Sequence, residues 1–275
     1  ILDFMNEKAL EPDIEIRTYF ARGKNALVAR AEFSELYAAM YLHQMDNGIQ
    51  RQADEDQLMR EALAAMALHC ASRPHTETVA WTVSFASPGA NVFVNGDNPL
   101  GTVTGTLFTT KQPVTKNVFY ADVVSDGEAP RRSVVDFSGI WFFPAVESYY
   151  RQSEQRPARF FRNAEEDFVL ITAQPDCDLE WLESLDEDAV RRLDQDVELR
   201  LLERRSFRFE CGCNQDRLMA MLVPEMRQRP EALFADEDVL RIHCPRCGAR
   251  HIITREAMEA RLATDDSRDS DPAGA

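Results

Sequence analysis

Four cysteines near the C-terminal end constrain the fold of this chain more than any other feature of its sequence. They form two pairs, Cys211-Gly212-Cys213 and Cys244-Pro245-Arg246-Cys247, and 30 residues lie between the pairs. Structural zinc sites use four soft ligands in a tetrahedron, and cysteine thiolates at such spacings are typical ligands. The pattern therefore predicts one Zn²⁺ ion bound by Cys211, Cys213, Cys244 and Cys247.

The residues around these cysteines suit a small module that depends on its metal. Gly248 permits the backbone twist of a zinc knuckle, and Gly212 keeps the first pair uncrowded. Roughly 55 residues is near the lower limit for a self-sufficient core. Structural zinc contributes roughly 10–16 kcal/mol in small zinc fingers, so we expect zinc loss to unfold residues 207–263. Thr254 is expected to cap a final helix, Arg255–Leu262.

Two histidines adjoin the second pair. His243 precedes Cys244 and His251 follows Cys247 by four residues, so either could serve as an alternate zinc ligand. Both are also suited to lie beside the site or on the surface. Five nearby arginines could offset the charge of four thiolates on one zinc ion: Arg208, Arg217, Arg241, Arg246 and Arg250.

Residues 1–175 have the pattern of an α+β domain, a mainly antiparallel sheet with packed helices. Apolar residues alternate from Val79 to Phe85, which indicates a half-buried strand, and Arg22–Asn25 is suited to a hairpin turn. Further strands are expected in 14–30 (two strands), 91–95, 102–109, 117–124, 133–137 and 168–172. Helices are expected over 32–46, 54–71 and 144–154.

Residues 176–206, which we call the charged segment, differ in character. Sixteen of the residues 176–205 are charged, 11 acidic and five arginine, around a sparse apolar stripe that runs from Trp181 to Leu202. We predict two helices, near 178–185 and 187–204, with Asp186 as a cap. So charged a segment gains little from burial and should be metastable unless it docks on a neighbour. An ordinary solvated connecting helix is the simpler interpretation.

Charge and cysteine content limit the partners and the compartment. The net charge is −16, which repels phosphate backbones and anionic membranes, so we expect neither nucleic acid nor membrane as a partner. Ile1–Pro12 lacks the pattern of a signal peptide. Six cysteines without an export signal indicate a reducing cytoplasm. Residues 264–275 are acidic and are expected to be a disordered tail.

The zinc site admits more than one function. It could be a structural clip, a zinc ribbon that docks on a partner or nucleic acid, or a thiol oxidoreductase, although the βαβ context of thioredoxins is absent. Alternatively, Cys211–Cys213 and Cys244–Cys247 could close as disulfides under oxidant, which would remove the zinc ligands. The sequence lacks a Ser-His-Asp constellation, a phosphate-binding glycine loop and a His-Glu-x-x-His motif, so we expect no enzyme.

At this point the sequence resembles the redox-regulated 33 kDa heat-shock chaperones. Their signature of C-x-C, about 27–32 residues and C-x-x-C is matched by Cys211–Cys213 and Cys244–Cys247. The stretch Ser153-Glu154-Gln155-Arg156-Pro157 resembles the family's S-E-Q-x-P-T-R, and the chain length is similar. The charged segment is shorter than the family's linker.

The resemblance implies a function. Family members are ATP-independent holdases that bind unfolding proteins under oxidative stress, and the reduced, zinc-bound form is latent. Oxidation closes the disulfides Cys211–Cys213 and Cys244–Cys247, releases zinc, unfolds the module and the metastable linker, and yields homodimers. Two cysteines remain without a role: Cys70, expected as a small buried hydrophobe, and Cys177, whose thiol pKa should be raised among acidic residues.

Overall fold

A ten-stranded sheet, counted over the described residues, organises the first of two units into which the chain divides, Ile1–Cys211 and Gly212–Ala275. The structure, a computed structural model, describes residues 13–87, 89–109 and 115–269. The strands are β1 (Ile14–Ala21), β2 (Ala26–Glu32), β3 (Glu77–Ser84), β4 (Ala90–Asp97), β5 (Thr102–Thr109), β6 (Val118–Ser125), β7 (Arg131–Asp136), β8 (Ala158–Arg162), β9 (Asp167–Ala173) and β10 (Leu199–Phe209).

Hairpins formed by strands adjacent in sequence build most of this sheet. The strand order is β7-β6-β3-β4-β5-β10-β1-β2-β9-β8, and every described pairing is antiparallel except that between β10 and β5. The α+β class with a mainly antiparallel sheet is therefore confirmed. The hairpin turn at Arg22–Asn25 is confirmed as well, since β1 and β2 flank it.

Three helices of the first unit pack on the sheet and form its main core. They are α1 (Ser34–Asn47), α2 (Ala53–Ala71) and α3 (Phe142–Gln152). Helix α2 is buried from Glu61 to Ala71, and five alanines in this stretch allow close packing. Two strand glycines let it approach closely: a Cβ at Gly96 would collide with Cys70, and one at Gly105 with Met59. The three helices lie where the sequence pattern predicts them.

The prediction of one helix over 187–204 is wrong in its second half. The chain forms three short helices, α4 (Leu179–Ser184), α5 (Glu187–Arg191) and α6 (Leu193–Asp196), and then strand β10. Strand β10 pairs with β1 from Leu199 to Phe207. The apolar stripe was misleading because Leu201 and Leu202 are exposed, whereas Arg205 and Phe207 alternate inward as in a strand. Strand β8 was also missed.

The second unit is a small mixed module. It contains α7 (Gln215–Gln228), α8 (Pro230–Phe234), β11 (Val239–His243), β12 (Arg250–Thr254) and α9 (Arg255–Asp269), and β11 and β12 form an antiparallel pair. Thr254 caps α9 as predicted, since its Oγ1 accepts a hydrogen bond from the Ala257 N–H at 3.1 Å. The expected disordered tail is wrong for residues 264–269, which continue α9, and residues 270–275 lie outside the described part.

Two sequence expectations remain, one about residues 1–12 and one about membrane-spanning helices. The expectation about Ile1–Pro12 falls on residues outside the described part of the chain. Within the described residues, none of the helices combines the length and the apolar character that crossing a bilayer requires.

Candidate metal centre

Strand β10 positions the first cysteine pair, because Cys211 follows two residues after its end. Arg205 anchors the strand: its Nη1 donates hydrogen bonds of 2.9 Å to the carbonyl oxygens of Cys70 and Arg73 at the C-terminal end of α2. The negative end of the α2 dipole also attracts the Arg205 guanidinium. Phe207 is fully buried in the main core. Beyond it, the Glu210 N–H donates to the Val103 carbonyl at 3.1 Å. The backbone is thus fixed up to the residue before Cys211.

A tight turn carries the first pair. Gly212 has a φ of +62°, a left-handed conformation that glycine adopts without strain. Arg217 Nη1 donates a 2.7 Å hydrogen bond to the Gly212 carbonyl. Asn214 caps helix α7, with its side-chain oxygen accepting from the Arg217 N–H at 2.8 Å. Gly212 therefore turns the backbone between the two thiols, a role that the sequence analysis had assigned only to Gly248.

The second pair lies in the loop between β11 and β12. The Gly248 N–H donates to the Cys244 carbonyl and the Cys244 N–H donates to the Ala249 carbonyl, both at 2.8 Å. Gly248 has a φ of +78°, the twist expected of a knuckle. These bonds fold the loop so that both thiols of the pair point to one place.

The four predicted cysteines converge on a single point. Their sulfur atoms all lie within 4.8 Å of one another, and Cys213 Sγ is 3.6 Å from Cys247 Sγ. Four sulfurs about 2.3 Å from a tetrahedral metal would lie about 3.8 Å apart, so the residues present fit such an ion. Cys244 and Cys247 are buried, while Cys211 and Cys213 are partly exposed. The cluster can therefore hold a metal and still be reached from solvent on one side.

The histidines beside the cluster differ in position. His251 Nε2 lies 3.3 Å from Cys213 Sγ, so its imidazole can donate a hydrogen bond to that sulfur. His243 is exposed at the end of β11. Of the five nearby arginines, Arg208 pairs with Glu210 and Arg241 pairs with Glu237. His251 is thus the histidine placed to tune the cluster.

The two remaining cysteines lie away from the cluster. Cys70 is fully buried on α2 against Met66, as predicted, and burial raises its thiol pKa to about 12. Cys177 precedes α4, and its thiol pKa is raised mainly by burial, with a smaller contribution from Asp178. The direction predicted for Cys177 is confirmed, but the acidic neighbours are not the largest cause. Neither thiol is activated as a nucleophile.

The sequence analysis missed an apolar face that the charged segment covers. Five buried residues of this segment join one core cluster: Leu182, Leu185, Val190, Leu193 and Val197. Their partners lie on β2, β8 and β9 and include Val28, Phe161 and Ile171. The alternating apolar residues of those strands were a readable signal. Which side the segment covers could not be inferred without the strand order.

Polar contacts hold the same segment at its edges. Lys24 Nζ donates to Asp178 at 2.8 Å, and Arg159 donates to the carbonyl oxygens of Leu182, Glu183 and Leu185 at 3.1–3.3 Å. Asp178 and Asp186 cap α4 and α5. These side chains lie at the edge of the segment and are only partly buried, with 31% of Lys24 and 38% of Asp178 exposed, so each contact contributes modestly to stability. The five apolar side chains provide most of the attachment.

The chain is similar in sequence to known proteins. The family model described as Hsp33 protein matches residues 170–254. A 33 kDa chaperonin from Photobacterium profundum is 28% identical over 145 residues, which cover 44% of this chain and 50% of that protein. A second 33 kDa chaperonin, from Nitrosococcus oceani, is 21% identical over 186 residues, or 60% of this chain and 62% of that protein. The chain thus spans about half or somewhat more of the curated relatives it matches.

The fold has a counterpart among solved structures. The crystal structure of the 33 kDa chaperonin from Thermotoga maritima, described as a heat shock protein 33 homologue, matches with a TM-score of 0.67. The match covers 94% of this chain and 99% of that one, at 13% sequence identity. The resemblance to the 33 kDa heat-shock family is therefore confirmed, in sequence over residues 170–254 and in fold over most of the chain. The similar proteins are named as chaperonins, not as enzymes.

Proposed function

We propose that this chain is a redox-regulated, ATP-independent chaperone that holds unfolding proteins and is kept latent by zinc on Cys211, Cys213, Cys244 and Cys247. The observation that carries the proposal is the convergence of the four sulfurs at the end of β10, the strand that continues the charged segment. The metal site and the segment are therefore adjacent along the chain. A change at the cluster is placed to affect both.

Zinc would be held by the four thiolates, and it would supply folding free energy to the module. The core of the second unit is small, with six buried residues in its described cluster: Met219, Val223, Met226, Phe234, Ile253 and Met258. A core of this size leaves the module dependent on a further source of stability. Removal of the thiolate ligands would then unfold residues around α7 to α9.

Oxidation removes those ligands with a balanced step. In each pair, two thiols lose two protons and two electrons and form one disulfide, and an oxidant such as hydrogen peroxide accepts the electrons and becomes water. We expect the pairs Cys211–Cys213 and Cys244–Cys247. The partial exposure of Cys211 and Cys213 favours reaction with a small oxidant.

Client binding would follow from release of the charged segment. Helices α4 to α6 cover the apolar face around Val28, Phe161 and Ile171. The helices are short, their polar contacts are only partly buried, and their attachment depends on few side chains, which is typical of a segment that opens locally. Opening would uncover apolar surface that binds exposed hydrophobic segments of unfolding proteins. We further propose a cytoplasmic location and homodimers in the activated form, with neither nucleic acid nor membrane as a partner.

The test measures zinc content, free thiols and client protection together, before and after oxidation with peroxide. Oxidation should release zinc, remove four thiols and suppress aggregation of an unfolding client protein. Reductant with added zinc should reverse all three changes. Cys177→Ser is a matched control, because Cys177 lies outside the cluster. If the oxidised protein loses zinc and still does not protect clients, the module is a structural or partner-binding zinc ribbon instead.

A further inference from the structure

Two cavities of the first unit meet at Trp141, in the connection between β7 and α3. The first has a volume of about 280 Å³ and is lined by Asp54, Glu55, Leu58 and Glu61 of α2 and by Ile140 and Trp141. The second has a volume of about 450 Å³ and shares Glu61 and Trp141 as walls. We call the first cavity with its Trp141 wall the Trp141 groove. It includes no residue of the charged segment.

The apolar part of the groove is exposed for a local reason. Helix α3 begins at Phe142, which is fully buried, and the preceding Trp141 is directed outward with 59% of its surface exposed. Ile140 beside it is also exposed. Adjacent tryptophan and isoleucine side chains in a concave surface are typical of interaction sites, because one bound segment can remove both from water. The groove therefore has an apolar anchor.

The charged part of the groove is acidic. Asp54 accepts a hydrogen bond from the backbone of Glu55, and Glu55 accepts one from the backbone of Gln52. Neither carboxylate takes part in a described ion pair, whereas Glu61 is bound by Gln57 and Arg162. Among the described residues that line the groove there is no lysine or arginine. The groove thus presents the carboxylates of Asp54 and Glu55 beside an aromatic face, and Arg51 offsets part of the charge of Glu55.

We propose that the Trp141 groove binds cationic–apolar segments of unfolding proteins, in which lysine or arginine alternates with aliphatic or aromatic residues. The cation would lie between Asp54, Glu55 and the face of Trp141, where ionic and cation–π attraction add. The neighbouring apolar side chain would pack on Ile140 and Leu58. The acidic walls of this groove favour a basic segment over a second copy of this chain, whose net charge is −16, so the homodimer proposed above would use another surface.

This inference rests on the proposed function for its biological partner, but its site is separate. The groove exists with the charged segment docked, so binding of cationic segments should not depend on the thiol state. The groove would concentrate basic clients on the chaperone before the segment opens. The inference therefore predicts a preference for basic over acidic clients, which the covered apolar face alone does not provide.

The experiment uses the full chain and a fluorescently labelled peptide of alternating lysine and leucine, with binding followed by fluorescence anisotropy. Trp141→Ala should weaken binding about tenfold or more, the loss of one aromatic anchor. Leu42→Ala is the matched control, because Leu42 is also 59% exposed but lies on α1 outside the groove. Asp54→Asn should weaken binding and reduce its salt dependence, and Asp46→Asn on α1 should not.

Each outcome is informative. Equal binding of a peptide with glutamate in place of lysine, or unchanged binding by Trp141→Ala, overturns the groove as a cationic site. Tight binding of single-stranded nucleic acid that Trp141→Ala removes overturns the class of partner. Failure of oxidised protein to protect any client overturns the proposed chaperone function and leaves the peptide result standing. If the oxidised protein protects basic and acidic clients equally well, only the inferred preference for basic clients is overturned.

Discussion

Truncation of a single leucine should release the charged segment from the sheet. Leu182 on α4 is 1% exposed and packs in the cluster that joins α4 to α6 with β2, β8 and β9. Leu182→Ala removes buried methyl groups and leaves a cavity, which costs about 2–3 kcal/mol at a surface helix that can partly relax. The ratio of docked to undocked segment should therefore fall roughly 30- to 150-fold.

Hydrogen exchange measures this change directly. The Val190 N–H donates to the Asp186 carbonyl at 3.0 Å on α5, so its protection reports opening of the segment at a site remote from the substitution. We expect faster exchange at Val190 by the same factor, together with higher client protection by the reduced protein. Leu179→Ala is the matched control, because Leu179 lies on the same helix and is 46% exposed.

Two results would refute the reasoning. Unchanged exchange at Val190 in a folded Leu182→Ala protein would mean that α4 does not hold α5 in place. Equal effects of Leu182→Ala and Leu179→Ala would mean that burial of Leu182 against the sheet is not what holds the segment, since alanine does not lower helix propensity.

Three further predictions concern the four-cysteine cluster, the Arg205 anchor of strand β10 and the pH dependence of stability. Cys213→Ser should abolish stoichiometric zinc binding and unfold the second unit by circular dichroism, whereas Cys177→Ser should retain both. Arg205→Met removes two hydrogen bonds from a buried cation and should lower the urea-unfolding free energy by about 2–4 kcal/mol, against little change for the exposed Arg204→Met. Burial raises the pKa of the Glu147 carboxyl. The contribution of this group to stability is therefore largest below its pKa in the unfolded chain, and it is lost as pH rises through its pKa in the folded protein. The unfolding free energy of Glu147→Gln minus that of the unsubstituted protein should therefore increase between pH 4 and pH 7.

The four-cysteine cluster was predictable from the sequence because its signal is local. Two short motifs each bring two thiols together, and Gly212 and Gly248 provide the positive φ values that the turns need. Tetrahedral coordination of one metal ion would leave little freedom for the relative placement of the pairs. The His251 contact with Cys213 was left open, because the sequence cannot specify which ring faces a sulfur.

The charged segment was predictable only in part. Local caps at Asp178 and Asp186 fix the starts of α4 and α5, and Asp186 was expected as a cap. The stretch from Leu199 to Phe209 has leucines at spacings that fit a helix as well as a strand. It becomes a strand because β1 offers partners about 190 residues earlier, such as Ile16 opposite Arg205.

The sequence by itself determined the four-cysteine cluster, the α+β class and the local hairpins, since these depend on short-range spacing and backbone preference. Only the tertiary structure decided that β10 lies between β5 and β1 and that α4 to α6 cover the face around Val28, Phe161 and Ile171. The physical reason is that strand pairing and burial are decided by residues far apart in the chain, whose relative free energies no local pattern records.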